Sequence, residues 1–297
     1  MSDRTSIPWC DSTWNPLIGC RKVSDGCRNC YAATLNARHR WTTWGGPPRR
    51  AAAATFDAPF HWANKPWVCD GCGEASPTSN FCTTIACSTS GMQFTFHRRR
   101  VFLGSMMDLF YEQNRIEDVA DILDIIRRTP HLDYLVLTKM PERWSDTMRR
   151  VLVQWSDGDR PSEQWKWLHD WANNGHPPTN IWLGVSVENQ RLADRRIPEL
   201  LRVPAKVHFL SCEPLLEDID LEAPTYLVGK LPSWVIVGGE SGKNHRLCDP
   251  QWIAGIVEQC QAAGVPVFVK QDSHRLPGQQ GRIPEQLWRL KDFPGSA

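Results

Sequence analysis

The chain lacks the features that mark several large classes of protein. No apolar run reaches the roughly 18 residues that a membrane-spanning helix needs, and the N-terminus, MSDRTSIPWC, lacks the apolar core of a signal peptide. Neither an HExxH pattern nor a glycine-rich phosphate loop occurs. We therefore expect a globular cytoplasmic protein with no membrane partner, and we expect it to be a monomer.

An excess of charge of one sign is also missing. Lys and Arg total 34 against 33 for Asp and Glu, so the net charge is +1. This balance indicates no partner that is recognised by bulk charge. A nucleic acid would have to be held by a local patch of the surface.

Cysteine, by contrast, is plentiful, with 11 in 297 residues. In a reducing cytosol this number argues for metal or cluster ligation over a disulfide framework. Most of the cysteines fall into two groups, one near the N-terminus and one between residues 69 and 87.

From about residue 98 onward, short β-rich runs alternate with amphipathic segments. The predicted strands are Arg99–Leu103, Tyr134–Leu137, Ile181–Val185, Val207–Leu210, Trp234–Val237 and Val267–Val269. The predicted helices are Ile116–Arg128, Pro141–Trp155, Asn189–Arg202 and Pro250–Ala263. The apolar strands are typical of a sheet buried on both faces. Their regular alternation with helices implies right-handed βαβ units, hence a doubly wound sheet or a barrel.

Polar residues follow all six predicted strands. They are Ser105 and Asp108; Thr138 and Lys139; Ser186, Glu188 and Asn189; Ser211 and Glu213; Gly239 and Glu240; Lys270 and Gln271. Such residues can cap the following helices, but their recurrence favours a barrel mouth over the single switch point of a doubly wound sheet. We predict an α/β fold with a full or partial parallel (β/α) barrel of residues 1–41 and 98–271. Residues 42–97 would form an insertion and 272–297 an irregular tail.

The first cysteine group lies in the run GCRKVSDGCRNCY, residues 19–31. Six residues separate Cys20 from Cys27, and two separate Cys27 from Cys30. The helix-like stretch Tyr31–Arg40 follows, and its N-terminal N–H groups would stabilise an anionic cluster held by thiolates. With no fourth cysteine nearby, one coordination position stays open. This fits a [4Fe–4S] cluster with one accessible iron or an open catalytic zinc site.

The second cysteine group comprises Cys69, Cys72, Cys82 and Cys87, with Gly71 and Gly73 allowing a knuckle turn. Four thiolates within so short a segment predict a closed metal site. We favour structural zinc over an auxiliary iron–sulfur cluster, since a small insertion poor in apolar residues needs such a staple. The adjacent run Arg98–Arg100 could contact nucleic acid, although such runs are more often simply solvated.

Several motifs together resemble a known family. They are WNP at 14–16, GC at 19–20 and 26–27, CYA at 30–32, LTK at 137–139, PER at 141–143, GVSVEN at 184–189, FLSCEP at 209–214, VGGESG at 237–242 and FVKQ at 268–271. The chain thereby resembles an uncharacterised family common in bacteriophages and prophages. That family is similar to radical S-adenosylmethionine (SAM) enzymes, with spore photoproduct lyase among the nearer relatives.

The resemblance implies a [4Fe–4S] cluster on Cys20, Cys27 and Cys30, whose unique iron binds SAM. Reductive cleavage would release a 5′-deoxyadenosyl radical that takes hydrogen from a nucleotide or nucleic-acid base. It further implies an electron donor of the flavodoxin or ferredoxin type and a bacterial or phage-infected host. Two features depart from the usual pattern: six residues stand where three are usual, and Asn29 replaces the common aromatic residue before the third cysteine.

The mouth of the barrel would supply the contacts to SAM. Glu188 or Glu240 could bind its cationic or hydroxyl groups, Lys139 could pair with its carboxylate, and the Gly238–Gly239 step would admit a ligand close to the backbone. The candidate cofactor-binding residues are Tyr31, Ser105, Thr138, Lys139, Ser186, Glu188, Asn189, Ser211, Gly238, Gly239, Glu240, Lys270 and Gln271. Rim salt bridges and helix capping are the alternative roles.

The candidate catalytic residues are Cys212, Lys139 and Glu213. A thiol at the tip of a strand could relay a radical, although a small residue at a tight turn would look the same. The leading hypothesis is a radical-SAM enzyme that acts on a nucleotide or nucleic-acid base. The alternatives are a non-catalytic zinc or iron–sulfur protein of a phage that binds nucleic acid, and a zinc hydrolase that uses the first cysteine group.

Overall fold

The computed structural model describes residues 4–79, 82, 87, 95–156, 161–226 and 228–295. Its strands are β1 (Ser12–Trp14), β2 (Leu17–Ile18), β3 (Arg49–Arg50), β4 (Trp67–Cys69), β5 (Ala75–Ser76), β6 (Phe96–Arg98), β7 (Arg100–Leu103), β8 (Asp133–Thr138), β9 (Ile181–Ser186), β10 (Val207–Cys212), β11 (Trp234–Gly238) and β12 (Val267–Gln271). Its helices are α1 (Tyr31–His39), α2 (Ala53–Phe56), α3 (Ala58–Trp62), α4 (Ile116–Arg128), α5 (Trp144–Gln154), α6 (Glu163–Asn174), α7 (Gln190–Arg202), α8 (Glu222–Tyr226), α9 (Pro250–Ala262) and α10 (Glu285–Trp288). Short 3-10 turns span Asp25–Cys27 and Pro141–Arg143.

Seven strands form one parallel sheet in the order β1-β7-β8-β9-β10-β11-β12, curled into a half-barrel. Sequential strands lie side by side from β7 to β12, which is the arrangement that repeated right-handed βαβ units produce. The prediction of a partial parallel barrel is therefore confirmed. All six predicted strands and all four predicted helices are present, with ends that differ by a few residues.

The sheet buries apolar residues on both faces, with alternate residues pointing to opposite sides. In β11, Trp234 and Ile236 lie in the inner cluster, whereas Val235 and Val237 pack in the outer one. The inner cluster is dominated by aromatic rings, those of Trp9, Phe102, Trp182, Phe209, Trp234 and Phe268. A Cβ on Gly184 would lie 2.4 Å from the Phe209 ring, so glycine is needed there. This aromatic floor lies beneath a cavity at the C-terminal ends of the strands.

The C-terminal segment, predicted as an irregular tail, contains α10 and packs against the N-terminal ends of the strands. Trp234 Nε1 donates to the Asp292 carbonyl at 2.8 Å, and the ring of Phe293 lies 5.2 Å from that of Trp234. The Arg100 guanidinium lies 3.6 Å from the centre of the Phe293 ring. The part of this segment from α10 onward thus covers the end of the half-barrel that is remote from the polar strand tips.

The segment predicted as an insertion has two parts. Residues up to Trp62 pack on the barrel: Arg49 pairs with Ile18, and Phe56 and Trp62 lie in the outer core. The second part forms a separate antiparallel sheet in the order β5-β4-β6 and carries the second cysteine group. Residues 80, 81, 83–86 and 88–94 of the predicted insertion lie outside the described residues.

The arginine run at 98–100 is held by the barrel. Arg98 Nη2 lies 3.3 Å from Asp133 Oδ1, Arg99 is buried, and Arg100 covers Phe293. This placement leaves little of the run for a nucleic acid. In the described part of the chain, no helix is long and apolar enough to cross a membrane.

Candidate active-site cavity and metal group

A cavity of about 240 Å³ opens at the C-terminal ends of the strands. Its walls come from the first cysteine loop and from the tips of β7, β8, β9, β10, β11 and β12. The predicted residues that line it are Cys20, Cys27, Cys30, Tyr31, Ser105, Thr138, Lys139, Ser186, Ser211, Glu213, Glu240 and Lys270. The structure therefore brings together the loop and strand tips that are far apart in sequence.

Glu188 anchors the cysteine loop from the β9 side. Its side chain is completely buried; Ser24 Oγ donates to Oε1 at 2.7 Å, and Arg196 Nη1 donates to Oε2 at 2.8 Å. Lys139 Nζ lies 3.1 Å from Oε1. Burial acts to raise the pKa of Glu188, but the two cations outweigh it and lower the pKa. Glu188 thus holds the loop. It does not line the cavity, contrary to our prediction that it contacts SAM.

Gly26 explains how the loop comes so close to this carboxylate. A Cβ at Gly26 would lie 2.3 Å from Glu188 Oε1, a distance at which one of the two must move. Glycine beside Cys27 therefore lets the loop sit directly on the buried ion pairs. This contact ties the position of the second cysteine to the barrel.

Glu240 anchors the loop from the β11 side. Arg246 Nη2 contacts Oε1 at 2.6 Å, and Asn29 Nδ2 donates to Oε2 at 2.9 Å. Arg246 Nη1 also donates to the Asp25 carbonyl at 3.0 Å. Asn29, which departs from the aromatic pattern, is therefore a hydrogen-bonding anchor next to Cys30. Burial acts to raise the pKa of Glu240, but its bonds to Arg246 and Asn29 lower it.

The three cysteines of this loop all line the cavity, but their sulfur atoms do not all lie within 4.8 Å of one another. Cys20 follows β2, Cys27 ends a 3-10 turn, and Cys30 is the N-cap residue of α1. Burial, with Asp108 and the other two thiols nearby, raises the pKa of Cys20 to about 12. Thiolates are the form of cysteine that binds metals, and bound cations stabilise them. The donor set thus fits a cationic metal centre.

The second cysteine group is tighter. Its four sulfur atoms all lie within 4.8 Å of one another, and it is the one such group of potential metal ligands among the residues that the structure describes. Cys69 and Cys87 sulfurs are 4.0 Å apart, and those of Cys72 and Cys82 are 3.4 Å apart. Tetrahedral zinc with bonds of about 2.3 Å requires sulfurs roughly 3.8 Å apart. The four thiols can therefore bind one metal ion.

His97 joins this metal group to the barrel. Its Nδ1 lies 2.6 Å from Asp70 Oδ1, in the knuckle after Cys69. Its Nε2 lies 3.1 Å from Asp11 Oδ2, and the same carboxylate accepts from the Arg100 backbone N–H at 2.7 Å. The knuckle and the sheet edge thus share one imidazole.

Two of the three predicted catalytic residues line the cavity. Lys139 pairs with Glu188, and Glu213 forms an ion pair with Lys270. Cys212 lies elsewhere: it is completely buried in the outer apolar core, and burial raises the pKa of its thiol. A thiol on that face of β10 does not reach the cavity, so a radical relay through Cys212 is not supported by its placement.

Four further candidates serve the protein framework. The Asn189 side chain accepts from Leu192 N and caps α7. Gln271 donates to the Gly239 carbonyl at 2.9 Å. A Cβ on Gly239 would lie 2.4 Å from Ser273 N, and one on Gly238 would lie 3.0 Å from the Gln271 carbonyl oxygen. We predicted that these glycines would admit a ligand, but the structure shows the neighbouring backbone in that space.

Sequence reasoning missed two tryptophans of the cavity wall. Trp9 and Trp44 both line the cavity, and their Nε1 atoms are buried with no hydrogen-bond partner in the described part of the chain. Trp44 follows the predicted end of the barrel segment, and no local pattern marks it as a cavity residue.

The fold and this geometry define a partial parallel (β/α) barrel with a cysteine-lined cavity at its mouth and a separate four-cysteine group able to bind a metal ion. The chain belongs to the family described as protein of unknown function (DUF5131), whose model matches residues 4–285. No curated protein and no solved structure matches it.

Proposed function

We propose that this protein is a radical-SAM iron–sulfur enzyme that acts on a nucleotide or nucleic-acid base. Cys20, Cys27 and Cys30 would hold a [4Fe–4S] cluster at the cavity. The observation that carries the proposal is the meeting of these three cysteines on one anchored loop over the mouth of a parallel half-barrel. In the described chain no fourth cysteine lines that cavity, so one iron would remain open to a ligand.

The arrangement of the first group is our reason for proposing a cluster and not a single ion. A cubane binds each thiolate through a different iron, which spreads the ligands, whereas one zinc draws them together. The sulfurs of Cys20, Cys27 and Cys30 do not all lie within 4.8 Å of one another, whereas those of the second group do. We therefore propose a cluster at Cys20, Cys27 and Cys30 in preference to the single zinc ion of a hydrolase.

When bound and reduced, such a cluster supplies the electron that splits SAM and so provides a 5′-deoxyadenosyl radical for hydrogen abstraction. The residues of the chain would fix the loop, exclude water and orient the ligand. Glu188 and Glu240 fix the loop between β9 and β11. The floor of Trp9, Phe102 and Leu137 excludes water from beneath the ligand.

Polar groups of the cavity would orient the ligand. Ser105, Thr138, Ser186 and Ser211 bring hydroxyls to its wall, and these suit ribose hydroxyl and amino groups. Lys139 and Lys270 are each paired with a glutamate. Each lysine would share its charge with a ligand carboxylate without leaving that partner.

We further propose that the second group holds structural zinc, with an auxiliary iron–sulfur cluster as the alternative. Sulfur separations of 3.4 and 4.0 Å lie on either side of the value of roughly 3.8 Å that a tetrahedral zinc requires. The small sheet β5-β4-β6 would depend on this ion for its stability.

Anaerobic reconstitution with iron and sulfide tests the main proposal. We expect a brown protein with about four irons bound at the first group, which cleaves SAM to 5′-deoxyadenosine when dithionite is present. A colourless protein that holds only zinc under these conditions would refute the proposal. Cys260→Ala is the control variant, because Cys260 is a buried thiol in α9 that does not line the cavity. It should bind iron and cleave SAM as the wild type does.

A further inference from the structure

Positive charge is concentrated in one segment of this nearly neutral chain. Residues 20–50 contain seven Lys and Arg and one Asp, so the segment carries +6, whereas the whole chain carries +1. We propose that this segment is a binding surface for a single-stranded nucleic acid, which it holds across the mouth of the cavity.

Most of these cations have no acidic partner. Arg21 pairs with Glu112, and Arg50 pairs with Asp118 and Asp121. The remaining five are exposed and form no ion pair with any residue that the structure describes: Lys22, Arg28, Arg38, Arg40 and Arg49. Their charge is therefore available to phosphate groups, whose neutralisation releases counterions and drives binding.

The segment is a closed loop at the cavity, not a remote arm. It leaves the barrel after Ile18 and returns at Arg49, where the two residues pair in β2 and β3. Gly45 N donates to the Cys20 carbonyl at 2.9 Å, and the Asn36 side chain exchanges hydrogen bonds with the Thr42 backbone. The cations therefore belong to the same unit that presents the three cysteines to the cavity.

Aromatic rings lie among the cations and favour a nucleic acid over an acidic peptide. Trp41 stacks on His39 with ring centres 4.7 Å apart, Tyr31 is 53% exposed, and Trp44 lines the cavity. Surfaces that bind single strands combine a basic track with rings on which bases stack. A carboxylate-rich peptide would use only the cations.

The recessed cavity favours a single strand over a duplex. A base must leave its stack to enter a closed pocket, and a strand already unpaired does so at least cost. The assignment rests on the proposed function only for the base that would enter the cavity. Binding along the surface does not require it.

Fluorescence anisotropy with a labelled single-stranded oligonucleotide, DNA and RNA in turn, tests the inference on the full-length reconstituted protein. If the five cations contact phosphates, the slope of log affinity against log salt should be about −3.5. R38E/R40E should weaken binding at least about tenfold at 0.1 M salt and make the slope shallower by about 1.4.

K206E/K230E is the matched control, because Lys206 and Lys230 are exposed cations that precede β10 and β11 at the opposite end of the barrel. We expect this variant to bind as the wild type does. W41A should weaken binding about tenfold through lost stacking and leave the salt slope unchanged. Circular dichroism and iron content verify that all variants fold.

Three results would overturn the inference: equal losses in the two double variants, duplex bound as tightly as single strand, or polyglutamate competing as well as unlabelled oligonucleotide. The wild-type SAM-cleavage assay separates the two proposals. Strand binding without SAM cleavage leaves the surface assigned and removes the proposed function; cleavage without strand binding does the opposite.

Discussion

The two cysteine groups differ in what positions their sulfur atoms. The second group has four sulfurs within 4.8 Å of one another and lies on the small sheet β5-β4-β6. The first group spreads three thiols around a cavity, on a loop fixed by Glu188 and Glu240. A single ion can organise the second group, whereas the barrel organises the first before any metal binds. Under the proposed function, the second group would contribute to stability and the first group to catalysis.

The largest effect should follow loss of a ligand in the first group. Cys30→Ala should lower bound iron from about four per chain to nearly none and abolish SAM cleavage, because the remaining two thiols cannot hold the cluster. Zinc content and the thermal midpoint should change little, since Cys30 is half-buried at the end of a loop. Metal analysis and calorimetry on the same preparation measure all three quantities. Loss of zinc instead of iron would reverse the roles of the two groups.

The reciprocal change should cost stability and spare chemistry. Structural zinc contributes about 10 kcal/mol to small domains, so Cys72→Ala should remove the zinc and make the β5-β4-β6 sheet melt separately at a lower temperature. Iron at the first group should be retained. If Cys72→Ala removed iron and left the fold intact, the zinc assignment would be wrong.

The loop anchor should show a smaller effect that links stability to the cluster. Glu188→Gln leaves Arg196 and Lys139 facing a neutral amide, and breaking a buried pair in this way costs about 3–5 kcal/mol. Chemical denaturation should report this loss, and iron retention should fall with it. Glu142→Gln, which breaks the exposed pair with Arg195, should cost less than about 1 kcal/mol. Equal effects of the two changes would contradict the role of Glu188.

The junction between the metal sheet and the barrel should depend on pH. Burial raises the pKa of Asp133, beside Arg98, to about 6. The folded state then binds the proton more tightly than the unfolded state, so this contribution to stability is present below about pH 4 and is lost as the pH rises through about 6. The free energy of unfolding of Asp133→Asn, relative to that of the wild type, should therefore rise by up to about 3 kcal/mol between pH 4 and pH 7. A difference in unfolding free energy that stays constant over this range would contradict the expectation.

Much of the fold follows from local sequence patterns. Short apolar runs predicted six of the seven parallel strands, because a strand buried on both faces has few other compositions. The pattern missed β1, Ser12–Trp14, which is short and polar although fully buried. It also missed α6, Glu163–Asn174, whose several tryptophans and polar residues obscure an apolar face.

The location of the candidate site could be predicted from the sequence, but the roles of its individual residues could not. Polar residues at strand tips pointed to the mouth of the barrel, yet a glutamate there can face a ligand or a neighbouring loop. Ser24 meets Glu188 across 164 positions, and Asn29 meets Glu240 across 211. No local pattern encodes such pairings, because they arise only when the loop folds back over the sheet. Trp9 and Trp44 are likewise far in sequence from the cavity residues of the later strands, so no local pattern predicts that they line the cavity.

Electron paramagnetic resonance of the reduced, reconstituted protein tests the central claim most directly. A cluster held by Cys20, Cys27 and Cys30 has one iron open to SAM, so adding SAM should shift the signal in the wild type and in Cys72→Ala. Cys30→Ala should give no such signal. A signal that is indifferent to SAM, or one that survives in Cys30→Ala, would contradict the account.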